Sequence, residues 1–311
     1  MKKRILVVSS ANMDFVMNVS RLPMPGETIM ENGNYKLIPG GKGANSAIAV
    51  ERLGGDCVFC AKLGRDANGE ALKNLYAAEG INLSAIRWTP EAPTGLAAIT
   101  VEEDGTNRIS VFPGANNYLN ADDAEEALLC YPDALLMHFE IPNEAIITAA
   151  HFAAKKNIPI VIDAGPAKPD FPFEKLPPLE IFSPNESETE IYTGINPNTA
   201  ENALRAAVAL QKIVRSHYYV IKLGGRGALV YDGKYYNIAP SYEVKAVDTT
   251  AAGDSFTAAL TLEYLRSGNI MRSCRYANSA SALVVSRGGA STSIPNEKQL
   301  AEFIKAKRIE L

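Results

Sequence analysis

Asp248-Thr-Thr-Ala-Ala-Gly-Asp254 runs straight into a helical pattern, Ser-Phe-Thr-Ala-Ala-Leu-Thr-Leu. Small residues at a helix start, here Ala251, Ala252 and Gly253, leave its free backbone N–H groups open to an anion. A phosphoryl group in flight needs such donors, because charge spreads over its oxygens as the bond breaks. A carboxylate within reach, Asp254, can take the proton of an attacking hydroxyl, and base catalysis contributes roughly 10²–10⁴ in rate. An aspartate in a first helical turn also suits the helix dipole alone. Spacing by itself does not separate the two roles.

A second cluster is Pro39-Gly-Gly-Lys-Gly-Ala-Asn45. Gly41 and Gly43 allow a ligand to approach the backbone, Lys42 brings charge, and Asn45 offers both donors and acceptors. This is not a Walker A loop, since Gly43 follows the lysine and the upstream spacing fails. A tight strand-to-helix turn uses the same residues. Asn12 and Asp14 leave the end of the first strand, the side of an open α/β sheet where ligands bind, and suit polyol hydroxyls or a turn. Glu140 follows the apolar run Ala-Leu-Leu-Met-His138 and shares strand parity with His138, so it is placed to face a ligand. Asn185 and Glu188 fall at a helix start, where they can cap it or hold Mg²⁺ through water. Leu223-Gly-Gly-Arg-Gly227 puts Gly224, Gly225 and Gly227 in a turn after a strand, a pattern that hairpin entries share.

The elements that must carry these residues alternate. Short β-branched runs at Arg4–Ser10, Val58–Leu63, Ala134–His138, Pro159–Asp163, Glu180–Ser183 and Tyr218–Leu223 read as strands. Between them, and again to the end of the chain, helical patterns fall at 44–53, 69–79, 144–156, 200–215, 253–266, 271–286 and 297–306. This is an α/β chain with a largely parallel sheet. Ala228–Tyr231 and Tyr235–Ile238 form a hairpin turning at Asp232-Gly233. Two segments, 15–38 and 94–112, alternate apolar and polar residues around turns at Pro25-Gly26 and Asp104-Gly105. They predict antiparallel strands set apart as a small flap.

The 311 residues suffice for one large domain or two small ones, and the formal net charge of -4 argues against a nucleic-acid binder held by a general basic field. The apolar run after Met1-Lys-Lys-Arg is too short for a signal peptide, and nothing approaches a bilayer-spanning length, so a cytoplasmic protein without membrane partners is expected. Cys57 and Cys60 form a CxxC inside a strand-like run, with no second pair and no nearby histidine, and read as small core residues.

Taken in order, the two glycine-rich motifs and the polar residues around them resemble the ribokinase (PfkB-type) carbohydrate kinase family over nearly the whole chain. The resemblance implies a single ribokinase-like domain over 1–311, a three-layer α/β/α fold whose β lid, at about 15–38 and 94–112, closes over the sugar and clasps a second subunit in a homodimer. It implies transfer of the γ-phosphate of ATP to the 5-hydroxyl of a small sugar, D-ribose favoured, with Asp254 as base and an anion hole at Ala251, Ala252 and Gly253. Asn12, Asp14, Gly41, Lys42, Gly43, Asn45 and Glu140 then hold the sugar, and Phe-Pro-Gly-Ala-Asn116 matches the same group. Asn185, Lys222, Gly224, Gly225, Gly227, Gly253 and Asn278 fall at nucleotide positions, with Asn185 and Glu188 acting on Mg²⁺ through water. A potassium site is implied at Asp248, Thr250, Val284, Arg287, Gly289 and Ser293. A ring of carbonyls with few charges suits that large, weakly hydrated ion.

Three residues depart from the pattern. Asp163-Ala-Gly-Pro-Ala stands where many members have Asn-Pro-Ala-Pro-Ala, Lys222 where some have Thr, and Ser46 where Gln is common. Kinases of deoxyribose, fructose or a related ketose remain alternatives, with a nucleoside kinase or a silent sugar-binding regulator further off. A dinucleotide enzyme is disfavoured, because no Gly-x-Gly-x-x-Gly follows the first strand.

Overall fold

Apolar strands buried on both faces have to lie inside a parallel sheet covered by helices on each side. The computed structural model, which describes residues 2–103 and 106–311, has that arrangement. The strands are β1 (Arg4–Val8), β2 (Asn12–Val19), β3 (Tyr35–Gly40), β4 (Asp56–Cys60), β5 (Lys62–Gly64), β6 (Arg87–Thr89), β7 (Gly95–Glu102), β8 (Asn107–Phe112), β9 (Ala134–Met137), β10 (Ile160–Asp163), β11 (Leu179–Ser183), β12 (Ser216–Lys222), β13 (Ala228–Tyr231) and β14 (Tyr236–Ala239). The helices are α1 (Lys42–Arg52), α2 (Ala67–Ala78), α3 (Ala121–Ala127), α4 (Asn143–Lys155), α5 (Glu186–Thr193), α6 (Ala200–Ile213), α7 (Ala252–Ser267), α8 (Ile270–Val285) and α9 (Glu297–Ala306).

An eight-stranded sheet runs β14-β13-β12-β11-β10-β9-β1-β4, parallel from β12 to β4 and antiparallel at the β12–β13–β14 hairpins. Alternate strand residues feed two cores. Ile5, Val7, Leu136 and Val161 pack with α1, α7 and α8, while Leu6, Val8, Leu135 and Ile162 pack with α3, α4 and α6. The result is helix, sheet, helix. In the first layer, α7 is buried continuously from Asp254 to Glu263. A helix without a polar face belongs in the centre of its layer, and α7 packs against both α1 and α8.

A four-stranded sheet, β3-β2-β7-β8, stands apart from the large one. Its outer pairs, β2–β3 and β7–β8, are antiparallel as expected, but β2 and β7 run parallel. The sequence expectation of antiparallel pairing throughout is corrected: two separate hairpin-like segments meet through strands of the same direction, and local alternation carries no information on that long-range pairing. The expected turn at Asp104-Gly105 lies outside the described residues. The single strand expected at Val58–Leu63 is also two. β4 ends at Cys60, and β5 leaves to pair with β6 in a two-stranded sheet. Cys57 and Cys60 are buried free thiols in β4; burial pushes Cys57 up and Cys60 to about 12, as befits core residues rather than reactive ones. No helix among the described residues is long and apolar enough to cross a membrane.

Candidate active site

The carboxyl ends of the parallel strands converge on one region, the place where open α/β sheets bind ligands. β9 delivers His138 and Glu140, β10 delivers Asp163, β11 leads to Asn185, and β12 ends at Lys222. From the opposite side come the start of α1 and the start of α7. Asn12 and Asp14 are not at the end of β1, as the sequence suggested. They open β2, the first strand of the small sheet, because the chain turns at Ser9–Ala11 before extending again.

The polar pocket is built around Asp254. Asn45 Nδ2 donates to Asp254 Oδ2 at 2.8 Å, and Lys42 Nζ lies 3.7 Å from Oδ1. Ser46 Oγ, a full turn along α1 from Lys42, donates to the Asp254 carbonyl at 3.2 Å and so ties the two helices together. The Asp254 carboxylate is the first cause that raises the Lys42 pKa, so this ammonium stays charged. Gly41 begins α1 at φ 88°, and a Cβ there would come within 3.0 Å of Asn12 N. Gly40 is as tightly required: a Cβ on it would collide with the Asp14 carboxylate. Burial first, then Glu140 and Asp254, push Asp14 up to about 7. Asp14 Oδ1 and Asn45 Oδ1 are buried without a protein partner. Buried polar atoms are nearly always hydrogen-bonded, so two orphans in one pocket mark a place for ligand hydroxyls.

Glu140 lies beyond the end of β9, so the parity argument that linked it to His138 does not apply. It binds the loop instead. One carboxylate oxygen accepts from Ser10 Oγ and from Lys42 N, the latter at 3.0 Å. Asn116 works in the same way behind Asn12, with Nδ2 donating to Asn12 Oδ1 at 2.7 Å and Oδ1 accepting from Ala11 N at 2.9 Å. Ser10 has no sequence signal that would have found it. His138 is buried, its Nε2 3.0 Å from Ser46 Oγ, and burial lowers its pKa.

A cleft of about 830 Å³ opens beside this pocket. Asn185, Lys222, Gly224, Gly225, Gly227, Gly253 and Asn278 all line it. Tyr242, Val244, Ala246 and Phe256 supply an apolar wall that the sequence reading missed, because they come from an irregular segment and a buried helix. Asn278 Nδ2 is committed to Ala239 O and Pro240 O, so it shapes the wall. α7 starts between the pocket and the cleft. Ala251 caps it in the left-handed region at φ 63° and no side chain caps the helix. For a residue with a Cβ this costs free energy, and such outliers cluster at functional sites. The N–H groups of Gly253 and Asp254, in the first turn, have no intrahelical acceptor.

The candidate ion positions fit unevenly. Asn185 and Glu188 form a capping box, with Glu188 N donating to Asn185 Oδ1 and Asn185 N to Glu188 Oε2, both at 2.8 Å. The capping alternative is therefore what this geometry displays. Asp248 accepts from Thr250 N at 2.9 Å, from Thr250 Oγ1 and from Gly289 N at 3.0 Å, which gathers the potassium candidates beside the end of α8. Val284 O accepts from Arg287 N. Ser293 Oγ is turned to Ala290 O, so its part of the set rests on its backbone.

Comparison with known proteins points to carbohydrate kinases. The pattern of the pfkB family carbohydrate kinases matches residues 2–297. The chain is 34% identical over 308 residues to a ribokinase of Haemophilus influenzae, covering 98% of this chain and 99% of that one. It is 35% identical over 306 residues to a bifunctional ribokinase/ribose-5-phosphate isomerase A of Fructilactobacillus sanfranciscensis, of which it spans 56%. Among solved structures, that of Arabidopsis thaliana ribokinase complexed with ribose and ATP superposes with a TM-score of 0.91 at 31% identity, covering 98% of this chain and 99% of that one.

Proposed function

The chain belongs to the pfkB family of carbohydrate kinases, and on that premise we propose that it transfers the γ-phosphate of ATP to the 5-hydroxyl of D-ribose. The observation that carries the reading is the position of Asp254. It sits in the first turn of α7, held through one oxygen by Asn45, between a pocket with unpartnered polar atoms and a glycine-lined cleft.

In this reading Asn12, Asp14, Gly41, Lys42, Gly43 and Asn45 bind the sugar, with Glu140 holding their loop. Asn45 fixes Asp254 Oδ2, which leaves Oδ1 to take the proton from the hydroxyl. Lys42 offsets charge beside it. Of the anion-hole residues expected at Ala251, Ala252 and Gly253, Ala252 N already donates to Thr249 O at 3.2 Å, so the N–H groups of Gly253 and Asp254 face the phosphoryl group and offset the charge that develops on it. Asn185, Lys222, Gly224, Gly225, Gly227 and Asn278 form the nucleotide cleft, whose glycines let the backbone approach the phosphates. Mg²⁺, held through water near Asn185 and Glu188, would neutralise charge shared by the phosphates. Potassium beside Asp248, Thr250, Val284, Arg287, Gly289 and Ser293 would steady the loop that leads into α7.

We read the chain as one domain with the small sheet as its lid, working in the cytoplasm where ATP is made and used. The lid also supports a homodimer. Tyr35, Leu37, Ile109, Val111 and Phe112 are all more than half exposed, and an apolar sheet this open favours a partner. Sedimentation at micromolar concentration should find a dimer, and Val111→Glu should give a monomer.

The deciding assay couples ATP consumption to ribose, deoxyribose, fructose, tagatose and ribonucleosides in turn. Ribose is expected to give the highest kcat/KM. Turnover of another sugar without ribose would move the substrate assignment and leave the kinase chemistry standing.

A further inference from the structure

Lys222 carries a positive charge into the floor between the pocket and the cleft. It ends β12, is 9% exposed and lines the cleft. Its Nζ donates to Asp163 Oδ2 at 2.6 Å and lies 3.4 Å from Thr257 Oγ1. The Thr257 hydroxyl donates to the same Asp163 oxygen. Thr257 stands one turn beyond Gly253 on α7, so the three residues join two strand ends to the start of that helix. On its remaining side the ammonium faces Gly253, where a Cβ would lie 3.7 Å from Nζ. An ammonium has three donors. Two are directed at Asp163 and Thr257, which leaves one for the cleft.

A buried ion pair is a poor device for stability, since well-packed apolar residues of similar volume often serve as well or better. The reason for this one has to be sought at its open side. His138, Asp163 and Asp254 also bring ligand atoms within 4.8 Å of one another, an arrangement that would suit a metal ion. Each carboxylate, however, already faces a lysine: Lys222 against Asp163 and Lys42 against Asp254. The cations at this floor are built into the chain. Burial pushes the Asp163 carboxyl up, but Lys222, His138 and Lys42 outweigh it and hold the carboxyl below the usual range.

We propose that Lys222 is a catalytic residue of phosphoryl transfer, donating to an oxygen of the transferring group beside Gly253, and that Asp163 and Thr257 are the positioning residues that hold it there. This rests on the phosphotransfer reading above and gives Lys222 a role in the chemical step beyond lining the nucleotide cleft. As the γ-phosphorus loses its bond to the leaving oxygen and gains one to the sugar oxygen, the electron pair departs with ADP and negative charge gathers on the equatorial oxygens. The hydroxyl proton goes to Asp254. Lys222 transfers no proton and contributes a hydrogen bond and charge.

The test is a double-mutant cycle on the full chain, using whichever sugar the wild type phosphorylates. Lys222→Met should lower kcat about 10²-fold, the scale for losing one preorganised donor, while calorimetric Kd values for ATP and sugar stay within about threefold. Asp163→Asn should lower kcat about tenfold, and that loss should vanish in the Lys222→Met background, since a positioning residue has nothing left to position. The double variant Asp163→Asn, Lys222→Met leaves no unpaired buried charge, so it carries the kcat comparison should Lys222→Met fail to fold. A kcat for Lys222→Met within twofold of wild type would overturn the proposal. So would recovery of kcat in the double variant, which would reduce Lys222 to a counter-ion for Asp163. Additive losses would remove Asp163 from its positioning role. Wild-type turnover of a sugar other than ribose would strike only the substrate assignment, and no turnover of any sugar would overturn both readings.

Discussion

The pocket and the cleft on either side of α7 are built on opposite plans. The pocket leaves buried polar atoms unpartnered, at Asp14 Oδ1 and Asn45 Oδ1, and burial, with Glu140 and Asp254 nearby, pushes Asp14 up to about 7. The cleft spends few side chains on its ligand. Its charged floor is closed by the Lys222–Asp163 pair at 2.6 Å, Asn278 is bonded to backbone carbonyls, and glycines face the opening. A sugar has directional hydroxyls that can satisfy individual orphaned atoms. A phosphate chain is better met by backbone N–H groups and fixed positive charge. The difference teaches that selectivity should be concentrated in the pocket and rate in the helix start between the two.

The largest test breaks the boundary itself. Asp254→Asn should cut kcat by roughly 10² or more while sugar and ATP still bind, as measured by steady-state kinetics beside calorimetry. Near-normal turnover would take Asp254 out of the role of base. Next, Gly40→Ala should act on one side only. The new Cβ displaces the Asp14 carboxylate, so KM for the sugar should rise about tenfold with the KM for ATP unchanged, on the scale of one lost charge-assisted hydrogen bond. Equal changes in both constants would erase the contrast between pocket and cleft. Exchanging potassium for sodium should lower kcat a few-fold, and equal rates in the two salts would count against the cation beside Asp248.

The smallest effect is on stability and has a defined sign. Asp14 is raised to about 7 in the fold, against about 3.9 in an unfolded chain. Between those values the folded state holds a proton that the unfolded state has lost, so the contribution of Asp14 to stability is fully present at acid pH and declines as pH rises towards 7. Asp14→Asn removes that decline. Its thermal midpoint should exceed the wild type by a few degrees at pH 8 and match it near pH 4, while sugar affinity falls. A midpoint difference that does not change with pH would show that Asp14 is not held protonated.

Much of the site was legible because its residues fall in two short, glycine-rich runs. Asp254 with Ala251–Gly253, and Gly41–Asn45, are local constellations whose chemistry follows from adjacency. The nucleotide positions came only from the family resemblance, and they lie on different elements: Lys222 ends β12, Gly253 lies in the first turn of α7 and Asn278 sits inside α8. The parts that escaped are those that depend on distant partners. Glu140 was expected to face a ligand, yet it also binds Ser10 Oγ and Lys42 N, from loops far away in sequence. Asn185 and Glu188 proved to be a capping box, an outcome the spacing allowed from the start. The apolar wall at Tyr242–Ala246 has no periodicity to mark it. The small sheet was legible as alternation, but its parallel β2–β7 contact was not.

The departures at Asp163, Lys222 and Ser46 show the limit most clearly. Read along the chain they are unrelated, Asp163 bears most on substrate choice, and none is expected to touch the base. In the fold Lys222 meets Asp163, and Ser46 meets both His138 and the Asp254 backbone. What the sequence alone determined was the alternation of strands and helices, the apolar run of β1, and the small residues that open the start of α7, since each follows from local composition, periodicity and sterics. Which charges become partners, and which polar atoms stay unpartnered for a ligand, was decided only by tertiary structure. Electrostatic and hydrogen-bond energies depend on separation in space and on burial, and neither is a property of position along the chain.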